Sequence, residues 1–152
     1  MSSNRICFLS ILAALAGMPA AAAPLASCGP EKLGTAREIA VDGGEGLALG
    51  LQSYPRTLAL GDHEVVLTFD DGPAPTTPLV LSALKDQCVR ATFFIIGNNA
   101  SANPALVKRE VTEGHSVGYH SNSHPARTLR LMSPEAAKAD IDAGIVAVDK
   151  AA

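Results

Sequence analysis

From residue 63 onward, short strand-type runs alternate with segments that open on helix-start signals. The strand-type runs cover residues 65–69, 91–96 and 115–120. The helical segments open on Thr77-Pro78, Asn103-Pro104 and Ser133-Pro134. A polar cap followed by proline is typical of a helix start, because proline lacks the N–H that is unpaired there. This alternation predicts an α/β fold with parallel strands, of which about three βα units are present.

The first strand-type run has the composition of a buried strand. Residues 65–69 are mostly apolar and end at turn-forming residues. Strands of parallel sheets that are covered on both faces have such continuous apolar runs. We therefore expect this strand to be covered on both of its faces.

The beginning of the chain carries the features of a secretory signal peptide. Arg5 supplies a short positive region, residues 6–17 form an apolar run, and residues 20–23 are small. The run is too short to span a bilayer as a mature helix. We expect residues 1–23 to be removed from an exported protein that is periplasmic or secreted. Residues 24–62 then form an irregular N-terminal segment, and residues 63–152 form the folded domain.

The composition is that of one globular domain without a polyanionic partner. The 152 residues are 47% hydrophobic and 18% charged, and the formal net charge is −3. This length and composition leave room for one domain. The negative balance does not favour binding to nucleic acid or to an anionic membrane surface.

The cysteines allow two interpretations. Cys7 lies in the expected signal peptide, which leaves Cys28 and Cys88. An even number of cysteines in an exported domain favours a disulfide between them. Alternatively, residues 25–28 (LASC) form a lipobox, in which case Cys28 carries a lipid that holds the protein at a membrane and Cys88 is unpaired.

Carboxylates and imidazoles follow two of the predicted strands. Asp70 and Asp71 end the first strand, His120 ends the third, and His124 lies four residues later. The carboxyl ends of parallel strands meet at one edge of a sheet. One carboxylate and two imidazoles are enough to hold a catalytic zinc ion with coordination positions left open. We expect Asp71 on the metal, Asp70 directed towards water, and metal-assisted hydrolysis of an amide or ester.

Each feature taken alone has a plainer interpretation. Asp71 followed by Gly72-Pro73 is typical of an ordinary turn, and two histidines at this spacing are often exposed polar surface. Their joint occurrence at two strand ends favours metal chemistry. His115 follows Gly114 at a helix-to-strand junction, and we expect it to be a buried, hydrogen-bonded structural residue.

The motifs also resemble those of a known family. TFDDGP at residues 68–73 and HSNSHP at residues 120–125 look like the first two signature motifs of polysaccharide deacetylases with a NodB homology domain, carbohydrate esterase family 4. ATFF at residues 91–94, Gly97, and GHSVG at residues 114–118 are similar to the family's intervening sequence. The resemblance extends over residues 64–147.

The resemblance implies a fold, an activity and a role for several residues. The fold is the N-terminal part of a distorted βα barrel, and the activity is removal of N- or O-acetyl groups from chitin, chitooligosaccharides, peptidoglycan or xylan. The cofactor is Zn²⁺ or another divalent transition metal. Asp70 is the implied catalytic base, and Ser121 or Ser123 supports the neighbouring loop. The implied metal ligands are Asp71, His120 and His124.

Three later motifs of the family have no counterpart before Ala152. They comprise an Arg-Pro segment, an Asp/Trp segment and a Leu-x-His whose histidine is a general acid. We therefore expect an incomplete version of the family's domain. The alternative functions are a non-catalytic zinc- or glycan-binding remnant that lacks the general acid, and a binding lipoprotein held by Cys28.

Overall fold

The structure is a computed structural model that describes residues 28–40, 57–126 and 128–152. The expected signal peptide, residues 1–23, lies outside these ranges, as do residues 24–27 and 41–56 of the N-terminal segment. The elements are β1 (Thr68–Gly72), α1 (Thr77–Gln87), β2 (Thr92–Ile95), α2 (Gly97–Ala102), α3 (Pro104–Thr112), β3 (Ser116–Tyr119), a 3₁₀ turn (Leu129–Leu131) and α4 (Pro134–Ala151). None of the helices in these ranges has the length and apolarity that crossing a membrane requires.

The described strands form one parallel sheet in the order β1-β2-β3. The central strand β2 pairs with β1 on one side and with β3 on the other, both in parallel. Its last residue, Ile95, is the register partner of both Gly72 and Tyr119. The predicted α/β fold with parallel strands is confirmed. The chain therefore leaves β1 and β3 at the same edge of the sheet.

The first strand begins later than the sequence predicts and is not covered on both faces. The predicted run starts at residue 65, whereas pairing with β2 begins at Thr68, opposite Thr92. Val65 lies outside the strand and is 87% exposed. The Leu67 carbonyl still accepts from the Thr92 N–H at 3.1 Å, but the paired register runs from Thr68 to Gly72. Asp70 and Asp71 therefore lie inside β1 instead of following it.

The hydrophobic core forms on the central strand. Phe93 and Ile95 of β2 are buried, and Phe69 of β1 stacks on Phe93 with ring centroids 5.1 Å apart. Each of the longer helices adds a fully or almost fully buried aliphatic side chain: Leu81 from α1, Val107 from α3 and Val148 from α4. Burial of one such side chain stabilises the fold by about 1.5–3 kcal/mol. This core fixes the helices relative to the sheet edge.

Helix α2 is not predicted by the sequence, because Gly97-Asn98-Asn99 indicates a break after the second strand-type run. Glycine and asparagine are turn formers, so the local pattern indicates a loop. In the structure these residues begin a short helix whose Ala100 is completely buried. Tertiary packing of Gly97 and Ala100 outweighs the local preference, and α2 becomes a neighbour of α4.

The helix starts agree with the capping signals, with one shift. The Ser133 hydroxyl accepts a hydrogen bond from the Ala136 N–H and caps α4, as predicted. Helix α1 already includes Thr77, which was predicted as its cap. The Thr77 hydroxyl instead accepts from the Ala74 N–H at 2.9 Å and closes the preceding turn.

The segment of residues 28–40 is attached to the end of α1 and the residues that follow it. Cys28 and Cys88 form a disulfide with Cα atoms 6.1 Å apart. The Thr35 hydroxyl accepts from the Arg90 N–H at 2.7 Å, and the Gly34 N–H donates to the Gln87 carbonyl at 2.9 Å. The segment therefore packs along the sheet end opposite the carboxyl edge.

Loss of this disulfide is expected to destabilise the protein strongly. The two cysteines are 60 residues apart, and a loop of that length gives about 4 kcal/mol by the chain-entropy estimate. Urea unfolding of Cys88→Ser, compared with the unmodified protein, measures the loss. Peptide mapping without reductant must find Cys28 and Cys88 in one linked peptide pair. Free thiols at both positions, or a lipid on Cys28, would rule the disulfide out.

Glu110 is a buried carboxyl group without a hydrogen-bond partner. It lies on α3 with 0% exposure, and neither side-chain oxygen has a partner within the described ranges. Burial raises the pKa of Glu110 to about 7, and no charged neighbour contributes to that shift. A carboxyl group in such surroundings is disfavoured in its ionised form.

Glu110→Gln is expected to remove a pH dependence of stability. The pKa of the glutamate carboxyl group is about 4.3 in the unfolded chain and about 7 in the folded protein. Between these values the folded state holds a proton that the unfolded state has lost. The free energy of unfolding therefore decreases by about 4 kcal/mol as the pH rises across this window. Urea unfolding at pH values from about 4 to about 9 measures this decrease.

The matched control is Glu31→Gln, because Glu31 is exposed. The control should keep the pH profile of the unmodified protein, and Glu110→Gln should flatten it. An identical profile for all three proteins would exclude Glu110 as the titrating group.

Candidate metal centre

Three side chains that can bind a metal ion meet at the carboxyl edge of the sheet. Asp71 lies near the end of β1, His120 directly follows β3, and His124 lies four residues later. The Nε2 atoms of His120 and His124 lie 3.2 and 3.4 Å from Asp71 Oδ1. The two rings stack with centroids 5.2 Å apart. We call these residues the Asp-His-His cluster.

An irregularity in β1 sets the direction of Asp71. The register to β2 shifts between Asp70 and Gly72, and Asp71 has a positive φ of 68°. Bulges of this kind redirect a side chain at the end of a strand. The Asn99 side chain on α2 donates from Nδ2 to the Asp71 carbonyl at 2.8 Å and holds the irregular backbone.

The two histidines are carried by a turn that we call the ligand loop, residues 120–124. The His120 N–H donates to the Ile95 carbonyl at 2.9 Å, which continues the sheet pairing. Ser121 and His124 have positive φ values of 59° and 44°. Non-glycine residues in such conformations cost about 1–3 kcal/mol each and persist only where the surroundings enforce them.

Both serines predicted to support the site lie in the ligand loop. The Ser121 hydroxyl accepts from the His124 N–H at 3.1 Å and closes the turn between the two histidines. The Ser123 N–H donates to Oδ2 of Asp140 on α4, with 3.4 Å between nitrogen and oxygen. Ser121 thus acts within the loop, and Ser123 connects it to a helix.

Asp140 contacts the ligand loop, and no sequence motif predicts this role. Its Oδ2 also accepts from the Asn122 N–H at 2.9 Å. The Ser123 hydroxyl, with further contributions from the loop amides and Ser121, holds the pKa of Asp140 below its usual range, although burial opposes this. No local pattern reveals the role, because an aspartate inside an amphipathic helix is typical of a solvated face.

Asp70 is next to the cluster but not part of it. Its side chain is exposed, and it lies in β1 opposite Phe94. The Asp71 side chain is 61% exposed and that of His124 is 52% exposed. Water and a large solute can therefore reach both carboxylates and the cluster at this open edge.

The donor set fits a divalent transition metal. One carboxylate oxygen and two imidazole nitrogens lie within 4.8 Å of one another. Two imidazoles and one carboxylate bind zinc and related ions and leave positions for other ligands. The residues that would hold the ion are Asp71, His120 and His124.

His115 has the structural role that the sequence predicts. It is 8% exposed, and its Nδ1 accepts from the Ala91 N–H at 3.2 Å. Burial lowers the pKa of His115, so the neutral ring is favoured. His115 also lines a cavity of about 480 Å³ beside the Cys28–Cys88 disulfide, and no cluster residue lines that cavity.

Comparison with known proteins identifies related sequences. The model of a family described as polysaccharide deacetylase matches residues 58–152. The peptidoglycan-N-acetylglucosamine deacetylase PgdA of Listeria monocytogenes is 55% identical over 68 residues, which is 44% of this chain and 15% of that protein. A chitooligosaccharide deacetylase of Sinorhizobium fredii is 47% identical over 76 residues, or 49% of this chain and 35% of that protein.

A solved structure shows the same fold. The peptidoglycan deacetylase PdaC from Bacillus subtilis superposes with a TM-score of 0.54 at 39% identity, and covers 57% of this chain and 43% of its own chain. The chain thus spans less than half the length of each of these three relatives. The comparisons confirm the family resemblance that the two motifs predict.

Replacing a cluster histidine is expected to abolish tight zinc binding. The protein should bind one zinc ion. Substitution of a residue that only supports a ligand typically lowers metal affinity by about 10- to 100-fold. His124→Ala removes a ligand, so its loss of zinc affinity should be larger. Chelator competition measures the affinity without any assay of activity. His63→Ala is the control, because His63 is 90% exposed and contacts Asp62 instead of the cluster. Equal affinity in both variants would contradict the assigned site.

Proposed function

This chain belongs to the polysaccharide deacetylase family, and we propose that it acts as a metal-dependent hydrolase that removes acetyl groups from N- or O-acetylated polysaccharide. The observation that carries the proposal is the meeting of Asp71, His120 and His124 beside Asp70. Relatives of this chain are deacetylases of peptidoglycan N-acetylglucosamine and of chitooligosaccharide. The proposed substrate is a glycan of one of these two types.

Within this proposal the Asp-His-His cluster holds a divalent ion, with zinc as the first choice. When bound, such an ion lowers the pKa of water and polarises a carbonyl oxygen. The cluster residues supply a fixed, preorganised donor set, because two elements of the sheet and one closed turn position them. This leaves Asp70 free for proton transfer.

Asp70 is the proposed general base. Its exposed carboxylate accepts a proton from the attacking water while the water oxygen bonds to the acetyl carbon. The bond from that carbon to the sugar nitrogen or oxygen then breaks, the sugar atom takes up a proton, and acetate leaves. A positioned acid or base typically contributes about 10²- to 10⁴-fold to the rate.

The open position of the centre suits a polymeric substrate. Asp71 and His124 are both more than half exposed at the side chain, and Asp70 is exposed as well. A long glycan can lie across such an edge, whereas an enclosed cavity admits only a small molecule.

We further propose that the protein is exported and works in the periplasm or outside the cell. The Cys28–Cys88 disulfide supports this, since such bonds persist in oxidising compartments. A Cys28 sulfur that is bonded to Cys88 is not available for a lipid, which favours the disulfide over the lipobox.

Asp70→Asn is expected to lower acetate release by about 10²- to 10⁴-fold and to leave zinc affinity unchanged, because Asp70 lies outside the cluster. Acetate release from chitooligosaccharide and from peptidoglycan, measured with zinc present, tests this. The control is Asp62→Asn, because the Asp62 carboxylate is 92% exposed and pairs with His63 instead of the cluster.

Each outcome separates the competing functions. Normal acetate release by Asp70→Asn would show that Asp70 is not the general base. Zinc binding by the unmodified protein without acetate release from either glycan would favour the non-catalytic binding protein instead.

A further inference from the structure

We infer that Asp140 on α4 is a positioning residue for the metal centre, because it binds the backbone of the ligand loop between His120 and His124. The inference rests on the proposed metal-binding function of the Asp-His-His cluster. It concerns how this chain places two of the three ligands, and it assigns a role to a carboxylate in a different element.

The backbone of the ligand loop is held from two opposite sides. On one side, the Gly97 N–H donates to the Ser121 carbonyl and the Asn98 N–H donates to the Asn122 carbonyl, both at 3.0 Å. These contacts come from the start of α2 and bind the carbonyl groups of the loop. They leave the amides of the loop to be bound from elsewhere.

On the other side, one carboxylate oxygen binds consecutive amides. Asp140 Oδ2 accepts from the Asn122 N–H at 2.9 Å and from the Ser123 N–H at 3.4 Å. Hydrogen bonds to a charged acceptor are stronger than those between neutral groups. Both amides lie between the two histidines, so the carboxylate acts on the part of the loop that sets their separation.

A glycine on α4 permits this approach. Gly144 lies one helical turn after Asp140, and residues at this spacing share a helix face. A Cβ atom at Gly144 would lie 2.6 Å from the Ser121 carbonyl carbon and 2.8 Å from the Asn122 nitrogen. Both neighbours are backbone atoms of the loop. A side chain at position 144 would therefore push the loop away from the Asp140 carboxylate.

The same contact extends to α2. A Cβ atom at Gly97 would lie 2.8 Å from the Gly144 Cα and 3.2 Å from the Asn122 Cα. Two helices and the loop thus meet at backbone distance. Ser121, whose φ is positive, lies at this junction, and the loop has no room to move towards either helix.

The test compares Asp140→Ala with Asp140→Asn in the full chain. Alanine removes the acceptor, and asparagine keeps one neutral oxygen of similar position. We expect Asp140→Ala to lower zinc affinity by about 10- to 100-fold, and Asp140→Asn to restore most of it. Chelator competition gives the affinity, and hydrogen exchange at the Asn122 and Ser123 amides reports the loop directly.

The matched control is Asp142→Ala. Asp142 is exposed on the same helix and pairs with Lys138, away from the loop. It should keep both zinc affinity and slow exchange of the two amides. Gly144→Ala provides a second test, since it should speed amide exchange and weaken zinc binding while the Asp140 carboxylate is still present.

The outcomes separate this inference from the proposed function. Unchanged zinc affinity in Asp140→Ala would overturn the positioning role, even if the variant were less stable. If Asp140→Ala did not fold, zinc affinity and amide exchange in Gly144→Ala equal to those of the unmodified protein would overturn it. Zinc binding without acetate release would overturn only the proposed hydrolysis, whereas no zinc binding at all would overturn both.

Discussion

The parallel pairing of β2 with both of its neighbours is the constraint on which the rest of the structure depends. Ile95 is opposite Gly72 on one side and opposite Tyr119 on the other. This common register brings the end of β1 and the end of β3 to one edge, although they are far apart in sequence. If β3 slipped by one residue, its side chains would change faces, and the histidines would no longer face Asp71.

Close backbone packing adds the accuracy that pairing alone does not supply. Strand register determines which residues are neighbours across the sheet. A metal centre also requires its donor atoms to be held within about 0.5 Å of their binding positions. At this edge the ligand loop lies between α2 and α4, and Gly97 and Gly144 allow contact without side chains. The Asn99 amide performs a similar task for the irregular end of β1.

The sequence predicts the parts of this structure that depend on local patterns. Proline after a polar residue marks the helix starts, and the alternation of elements predicts the parallel sheet that brings Asp71 to His120. It does not predict α2, because the asparagines of this segment favour a turn, and the helix forms only through burial of Ala100 in the folded protein. It also misses Asn99, Asp140 and Glu110, since the surroundings of each residue are set by elements distant in sequence.

The distance in sequence between Asp71 and the two histidines has a thermodynamic consequence. The donor atoms come together only when β1, β2 and β3 are all paired, so the unfolded chain holds no such site. An ion that binds the assembled edge therefore favours the folded state by an amount that grows with the logarithm of its free concentration. Supply of the ion would then add to the stability of the folded chain, and a chelator would remove that contribution.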